Sequence, residues 1–408
     1  MKHTLHIASF IGCALLSQLL ATRVSAQLPT TPPCHVVILW EENYAYSEII
    51  GSSYASRINA LAAMPNAAVF TQFFAIEHPS QPNYLDLFSG SNQGSTTDNY
   101  PTADGLTLPF TTPNLAAQLF AAGKTFKSYS EGLPSVGSDI QTLSTPSGEY
   151  YRKHNPCTNW SEALGTGPNT FPASVNQPFS AFPVNYDTLP TVSFVAPNGT
   201  NDMHDGSYPT NITAGDTWMY NNLDSFRSWT LDNNTLYIMI FDEDDDLHSN
   251  NIPVIFYGPM VKAGTYTENV NFWNLLHTIE QMYGLSYIGS ASGSTSITDC
   301  WMNPAVTTCA AISSTTAVNN IVNTNDYSFK VMPNPASDVV NFNCSVTLSS
   351  HVNITITDAT GRVTGKYAMT GTDLQVNTSA YAPGVYIYRI VNEKGDKLTN
   401  GSFVITHN

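Results

Sequence analysis

Four short runs in this chain, HVVILW (35–40), TVSFVAP (191–197), TLYIMIF (235–241) and IPVIFYGP (252–259), are apolar at almost every position. A strand with one wet face alternates apolar and polar residues, whereas a strand covered on both faces does not. Around these runs lie segments with helical spacing: YASRINALAAM (54–64), NLAAQLFAAGK (114–124), GDTWMYNNLDSFRSW (215–229) and NFWNLLHTIEQMYGL (271–285). Gly123 and Gly284 stand near the ends of the second and the fourth, where a helix stops easily. NAAVFTQFFAI (66–76) and KTFKSYS (124–130) read as further strands. Buried strands alternating with amphipathic helices predict an α/β domain, its mostly parallel sheet covered by helices on both faces.

That pattern stops at Trp301. Residues 310–325, AAISSTTAVNNIVNTN, carry little charge and few large apolar groups, as a linker does. From Tyr327 onward the runs are short and alternate with period two, as in VNITIT and VYIYRI, which predicts a small antiparallel β-sandwich. At the other end, Lys2 precedes the apolar segment IASFIGCALLSQLLA, and VSA (24–26) offers small residues before Gln27. This is the pattern of a secretory signal peptide. The expected organisation is a signal peptide over 1–26, the α/β domain over 27–301, a linker over 302–326 and the β-sandwich over 327–408. No later run reaches the roughly 20 apolar residues of a membrane span.

Fifteen Lys and Arg face 31 Asp and Glu, a formal charge of −16, which disfavours nucleic acid as a partner. Beyond the leader, the cysteines are Cys34, Cys157, Cys300, Cys309 and Cys344. Export permits disulfides. Cys300 and Cys309 close a short loop and are the expected pair, and no spacing matches a structural zinc site.

Oxygen ligands fall at two strand ends. Glu41, Glu42 and Asn43 follow HVVILW, and Asp242, Glu243, Asp244, Asp245 and Asp246 follow TLYIMIF. Ligands of α/β sheets gather beyond the carboxyl ends of strands, which would bring the two clusters together across about 200 residues. Ionised carboxylates share a site only when a cation neutralises them. An oxygen set favours a divalent ion such as Mg²⁺, Ca²⁺ or Mn²⁺, with Zn²⁺ less favoured where histidine is scarce. The plainer reading is a pair of acidic turns.

In HPSQPNYLDLFSGSNQG (78–94), Ser80 precedes a helix-like run and is flanked by His78 and Asn83. There its hydroxyl would face helix N–H groups that attract anions, unless it is simply a capping serine. In APNGTNDMHDGS (196–207), Asn201, Asp202, His204 and Asp205 crowd a loop after a strand, as a reactive group or as a loop hydrogen bond. YYRKHNP (150–156) concentrates Arg152, Lys153 and His154, as a phosphate attractor or a surface turn.

Taken in order, VVILWEENYAYSEIIGS, FFAIEHPSQPNYLDLFSGS, YYRKHNP, PNGTNDMHDGS with GDTWM, IMIFDEDDD and LLHTIEQMYGL resemble the secreted phosphoesterase family of acid phosphatases and bacterial phospholipases C, within the alkaline-phosphatase-like superfamily. The resemblance covers most of residues 34–290. It implies that Glu42, Asn43, Asp242 and Glu243 bind a divalent metal and that Ser80 is both nucleophile and ligand. His204 and Asp205 would lie near the substrate phosphate, with Asn83 as a further contact. His78, Arg152 and Lys153 complete the expected substrate-binding set. One departure stands out: relatives often carry an Asp-His pair at the start of the final helix, where this chain has Asn271 and Phe272. That bears on a phosphate contact, a second cation or substrate choice.

The implied activity is metal-dependent hydrolysis of a small phosphate ester through a phosphoserine, as an acid-phosphatase-like phosphomonoesterase. The alternatives are a phospholipase C-type phosphodiesterase acting on a phospholipid headgroup, and a non-catalytic calcium-binding surface or adhesion protein. The tail, with VMPNPASDVVNF, NITITDATGRVTGK and APGVYIYRIVNEKG, resembles the C-terminal sorting domain of the type IX secretion system of Bacteroidetes. It implies that machinery as a partner, passage through the periplasm, and a secreted or surface-attached product.

Overall fold

The computed structural model describes residues 28–304, 309, 329–358, 362–392 and 397–407. The expected signal peptide, and all of the expected linker except 302–304 and 309, lie outside them. The chain divides into two compact units, Met1–Ser313 and Ser314–Asn408.

The first unit is built on an eight-stranded sheet. In chain order its strands are β1 (His35–Glu41), β2 (Ala67–Phe70), β3 (Phe126–Ser130), β4 (Asn176–Pro178), β5 (Val192–Ala196), β6 (Thr235–Phe241), β7 (Val254–Tyr257) and β8 (Gly264–Tyr266). Across the sheet they run β8-β2-β7-β6-β1-β5-β3-β4. Only β7 is antiparallel to its neighbours, β2 and β6; the other pairs are parallel. The central strands β1, β5 and β6 are buried at every position, which is why their sequences do not alternate.

Helices α1 (Ser56–Ala62), α2 (Ser80–Ser89), α3 (Leu115–Ala121), α4 (Thr210–Thr230) and α5 (Phe272–Tyr283) flank the sheet. α1 packs on α4, and α2 packs on both α3 and α5. α4 starts at Thr210, ahead of the helical spacing seen from 215 onward. NAAVFTQFFAI is two strands rather than one. The chain leaves the main sheet at Thr71, whose N–H donates to Tyr266 O (2.9 Å), and Phe73–Phe74 pairs with Val270–Asn271 in a separate two-stranded sheet.

The disulfide expectation is corrected. Cys34 bonds Cys309, with Cα atoms 5.2 Å apart, and Cys300 is a buried free thiol. Cys300 is fully buried in the same apolar core as Ile297 and Trp301, and its carbonyl accepts from Lys262 N (2.8 Å). Its side chain fills that core, so closeness in sequence to Cys309 does not decide the pairing.

The second unit is antiparallel throughout: β9 (Phe329–Met332), β10 (Val339–Asp358), β11 (Val363–Asn377), β12 (Gly384–Val391) and β13 (Lys397–Ile405). Alternation along β12 sends Tyr386, Tyr388 and Ile390 inward to meet Val340, Phe342, Ile354 and Phe403. This is the small all-β domain that the period-two pattern predicts.

Candidate active site

β1 and β6 are parallel neighbours in register, Glu41 beside Phe241, so the residues that follow each strand emerge side by side. That register alone places Glu42 next to Asp242. Asn43 turns the chain through a left-handed conformation (φ 58°), and its N–H donates to Asp242 Oδ1 (3.2 Å). Ser80, the first residue of α2, donates its hydroxyl towards Glu42 Oε2 (3.1 Å) and Glu243 Oε1 (3.0 Å). Glu42, Ser80, Asp242 and Glu243, four of the expected site residues, thus meet in one buried cluster.

The electrostatics of this cluster are extreme. Burial, followed by the charges of Asp242 and Asp202, pushes the Glu42 carboxyl far above its usual range. Burial also raises Asp242 and, together with the Asp242 charge, lifts Glu243 to about 9. Asp242 Oδ2 is buried without a hydrogen-bond partner. Crowded carboxylates, one oxygen orphaned and a hydroxyl at hand are the donor set of a hard divalent cation. Besides this set, Glu42, His154 and His204 present ligand atoms within 4.8 Å of one another, as do Glu48, Asp245 and His248. Both groups are compatible with a divalent ion.

The second half of the site comes from loops. His204 Nδ1 lies 2.8 Å from Asp205 Oδ1, and its Nε2 lies 3.2 Å from Lys153 Nζ. An ammonium donates and a carboxylate accepts, which fixes the tautomer: Nδ1 carries the proton and Nε2 takes the lysine hydrogen bond. Burial opposes the charge on Lys153, but Glu42 and Asp98 outweigh it and hold the ammonium above its usual value. Asp98 accepts from Lys153 (2.6 Å) and also from Gln81 N (2.9 Å), so it occupies one of the N–H groups at the start of α2.

Behind Glu42 lies His154, with Nε2 3.1 Å from Glu42 Oε1 and Nδ1 3.0 Å from Asp202 Oδ2. Burial, with Lys153 and His204 adding to it, drives this imidazole well below its ordinary value. Tyr84 donates its hydroxyl to Glu42 Oε1 and stacks on His154 (5.5 Å, 6°).

Other expected residues sit differently. His78 backs the acidic cluster, with Nδ1 2.6 Å from Glu243 Oε2 and Nε2 3.3 Å from Asp244 Oδ1. Asn83 is fully buried and binds backbone: its Oδ1 accepts from Ile76 N and Glu77 N (both 3.0 Å) and its Nδ2 donates to Glu77 O (2.8 Å). It fastens the loop that leads into Ser80. The YRKHNP segment is no surface turn, since Arg152 and His154 are buried. Arg152 pairs with Asp139 (2.5 Å) and donates to Asn159 (2.8 Å).

Asn271 and Phe272 have structural work. Asn271 Oδ1 caps α5 by accepting from Trp273 N (2.9 Å), and Phe272 is fully buried against Trp40 and Phe73. Trp273 Nε1 donates to Asp86 on α2 (3.0 Å), tying the final helix to the serine helix. Tyr84 and Asp98 are the members of the cluster that the sequence reading did not reach. Tyr84 stands one turn after Ser80 on α2, a spacing that signals a shared face; Asp98 has no local signal.

The Phosphoesterase family profile matches residues 55–286, more than half of the chain. The chain belongs to this family. A phosphatidylinositol-3-phosphatase of Mycobacterium tuberculosis is 43% identical over 297 residues, covering 72% of this chain and 90% of that protein. A phosphate-repressible acid phosphatase of Penicillium chrysogenum is 30% identical and covers 55% of this chain, which spans 53% of that longer protein. A solved protein of the alkaline phosphatase superfamily from Vibrio parahaemolyticus aligns with 87% of this chain and 85% of its own (13% identity, TM-score 0.45). Residues 330–405 match a secretion system C-terminal sorting domain. The protein is a phosphoric ester hydrolase carried by a type IX sorting domain, which gives it a secreted or cell-surface location. Among the described residues no helix is long and apolar enough to cross a membrane.

Proposed function

We propose that this phosphoesterase hydrolyses phosphate monoesters through a phosphoserine on Ser80. The observation that carries the reading is the Ser80 hydroxyl held 3.1 Å and 3.0 Å from two buried carboxylate oxygens. Glu42, Asn43, Ser80, Asp242 and Glu243 would hold a divalent cation. When bound, it lowers the cost of ionising the serine hydroxyl and offsets charge on the phosphoryl oxygens. The oxygen donors favour Mg²⁺, Ca²⁺ or Mn²⁺, while the imidazoles beside Glu42 also suit Zn²⁺.

Ser80 Oγ attacks phosphorus as its proton passes to the Glu42 or Glu243 carboxylate. The bond from phosphorus to the leaving oxygen breaks, and that oxygen takes a proton from the Lys153–His204 pair. Asp205 keeps the imidazole oriented for this step. Water then attacks the phosphoserine and gives its proton to the Lys153–His204 pair; the P–Oγ bond breaks, and the serine takes its proton back from the carboxylate. Both named relatives are phosphatases, which favours a monoester over a phospholipase C-type diester.

The test compares p-nitrophenol release from p-nitrophenyl phosphate and from p-nitrophenylphosphocholine, after metal stripping and readdition. The reading expects metal-dependent turnover with the monoester preferred. Preference for the diester would move the protein to the phospholipase C class, and no turnover with any of the four ions would favour a calcium-binding surface role.

A further inference from the structure

Beside the reacting groups lies a second feature that the phosphoryl chemistry does not use. A cavity of ≈ 210 Å³ is lined by Gln81 and Lys153, which adjoin Ser80 and His204, and by Tyr100, Gln141, Tyr151 and Arg152. Gln141 stands next to a β-hairpin, Thr142–Thr145 paired with Gly148–Tyr151. We propose that this cavity receives the leaving group and is shaped for an uncharged polyol ring, such as a hexose or cyclitol. The inference rests on the monoesterase reading above and adds the substrate class.

Three observations support it. The first is charge. The two cations here are already neutralised, Lys153 by Asp98 at 2.6 Å and Arg152 by Asp139 at 2.5 Å. A second anion on the substrate would compete with ion pairs already made, whereas hydroxyl groups would not. The second is a covered cation. Arg152 is almost wholly buried, with its guanidinium 4.6 Å from the Tyr100 ring centroid, so it offers the cavity no free charge for a further anion. The third is the wall chemistry. Tyr100 and Tyr151 offer ring surface, and the exposed Gln141 amide both donates and accepts, as alternating C–H and O–H groups of a polyol require. Size agrees: a cavity of about 150 Å³ admits benzene, so this one admits a substituted six-membered ring.

The test measures kcat/KM for glucose 6-phosphate and for ethyl phosphate in the wild-type chain, in Tyr100→Ala and in Gln141→Ala. The expected result is at least a tenfold preference for the glucose ester in the wild type, reduced at least fivefold in each variant. Gln141 is exposed, so its variant is a safe probe of the pocket apart from folding. Equal kcat/KM for the two esters, or a preference that survives both substitutions, overturns the proposal. Should neither ester turn over, the monoesterase reading fails by itself. Calorimetric titration of the same chains with the same two esters then decides the pocket by the same ratio.

Discussion

At the scale of residues, Ser80 and His204, the two groups of the proposed mechanism, have opposite chemical surroundings. Ser80 faces carboxylates, while His204 faces an ammonium through Nε2 and a carboxylate through Nδ1. In the proposed mechanism the proton for the leaving oxygen comes from this second side, so its value depends on the leaving group. His204→Gln should lower kcat about 10²–10³-fold with an alkyl phosphate and much less with p-nitrophenyl phosphate, whose leaving oxygen needs little protonation. Equal losses with both substrates would remove His204 from proton transfer. The meeting of the acidic clusters was legible because they end two apolar runs, and the histidine and lysine were legible as candidates. Their pairing was not, because Lys153 and His204 are 51 residues apart and meet only through loop geometry.

At the scale of elements, α5 opens with two residues that serve the structure. Asn271 caps the helix and Phe272 enters the core. Removing the cap in Asn271→Ala should cost ~1 kcal/mol in denaturant unfolding. Phe272→His, which puts an imidazole against Trp40 and Phe73, should destabilise more, since a buried polar ring there lacks partners. Farther along α5, burial lifts Glu280 to about 8, although its Oε1 accepts from Ile288 N (3.1 Å). The folded state therefore holds a proton that the unfolded state releases at ordinary carboxyl pH, and stability falls as pH rises from about 4.5 to about 8. Glu280→Gln should match the wild type in Tm near pH 4 and exceed it at pH 8; a constant difference across that range would contradict the assignment. Helix and strand positions were largely readable, because apolar runs and helical spacing are local. The break at Thr71 was not, since it depends on Tyr266, far along the chain.

At the scale of the molecule, Cys34–Cys309 closes a loop across a sequence separation of 275 residues and fastens the segment before β1 to the region beyond the sheet. A closure of that length should be worth roughly 2–5 kcal/mol, so Cys309→Ser or reduction should lower Tm, and peptide mapping should recover the Cys34–Cys309 pair. Finding Cys300 bonded to Cys309 would contradict the fold described here. The two-unit organisation was readable from a change of period, 3.6 and unbroken apolar runs giving way to two; the disulfide was not, because pairing follows proximity in space. The central claim concerns the nucleophile, and acid quenching tests it most directly. The stripped chain is resupplied with divalent metal, mixed with p-nitrophenyl phosphate, quenched in acid during turnover, and its peptides are weighed. The account predicts a phosphoryl group on Ser80 and no turnover in Ser80→Ala; a phosphoryl group on another residue, or turnover that survives Ser80→Ala, would contradict it.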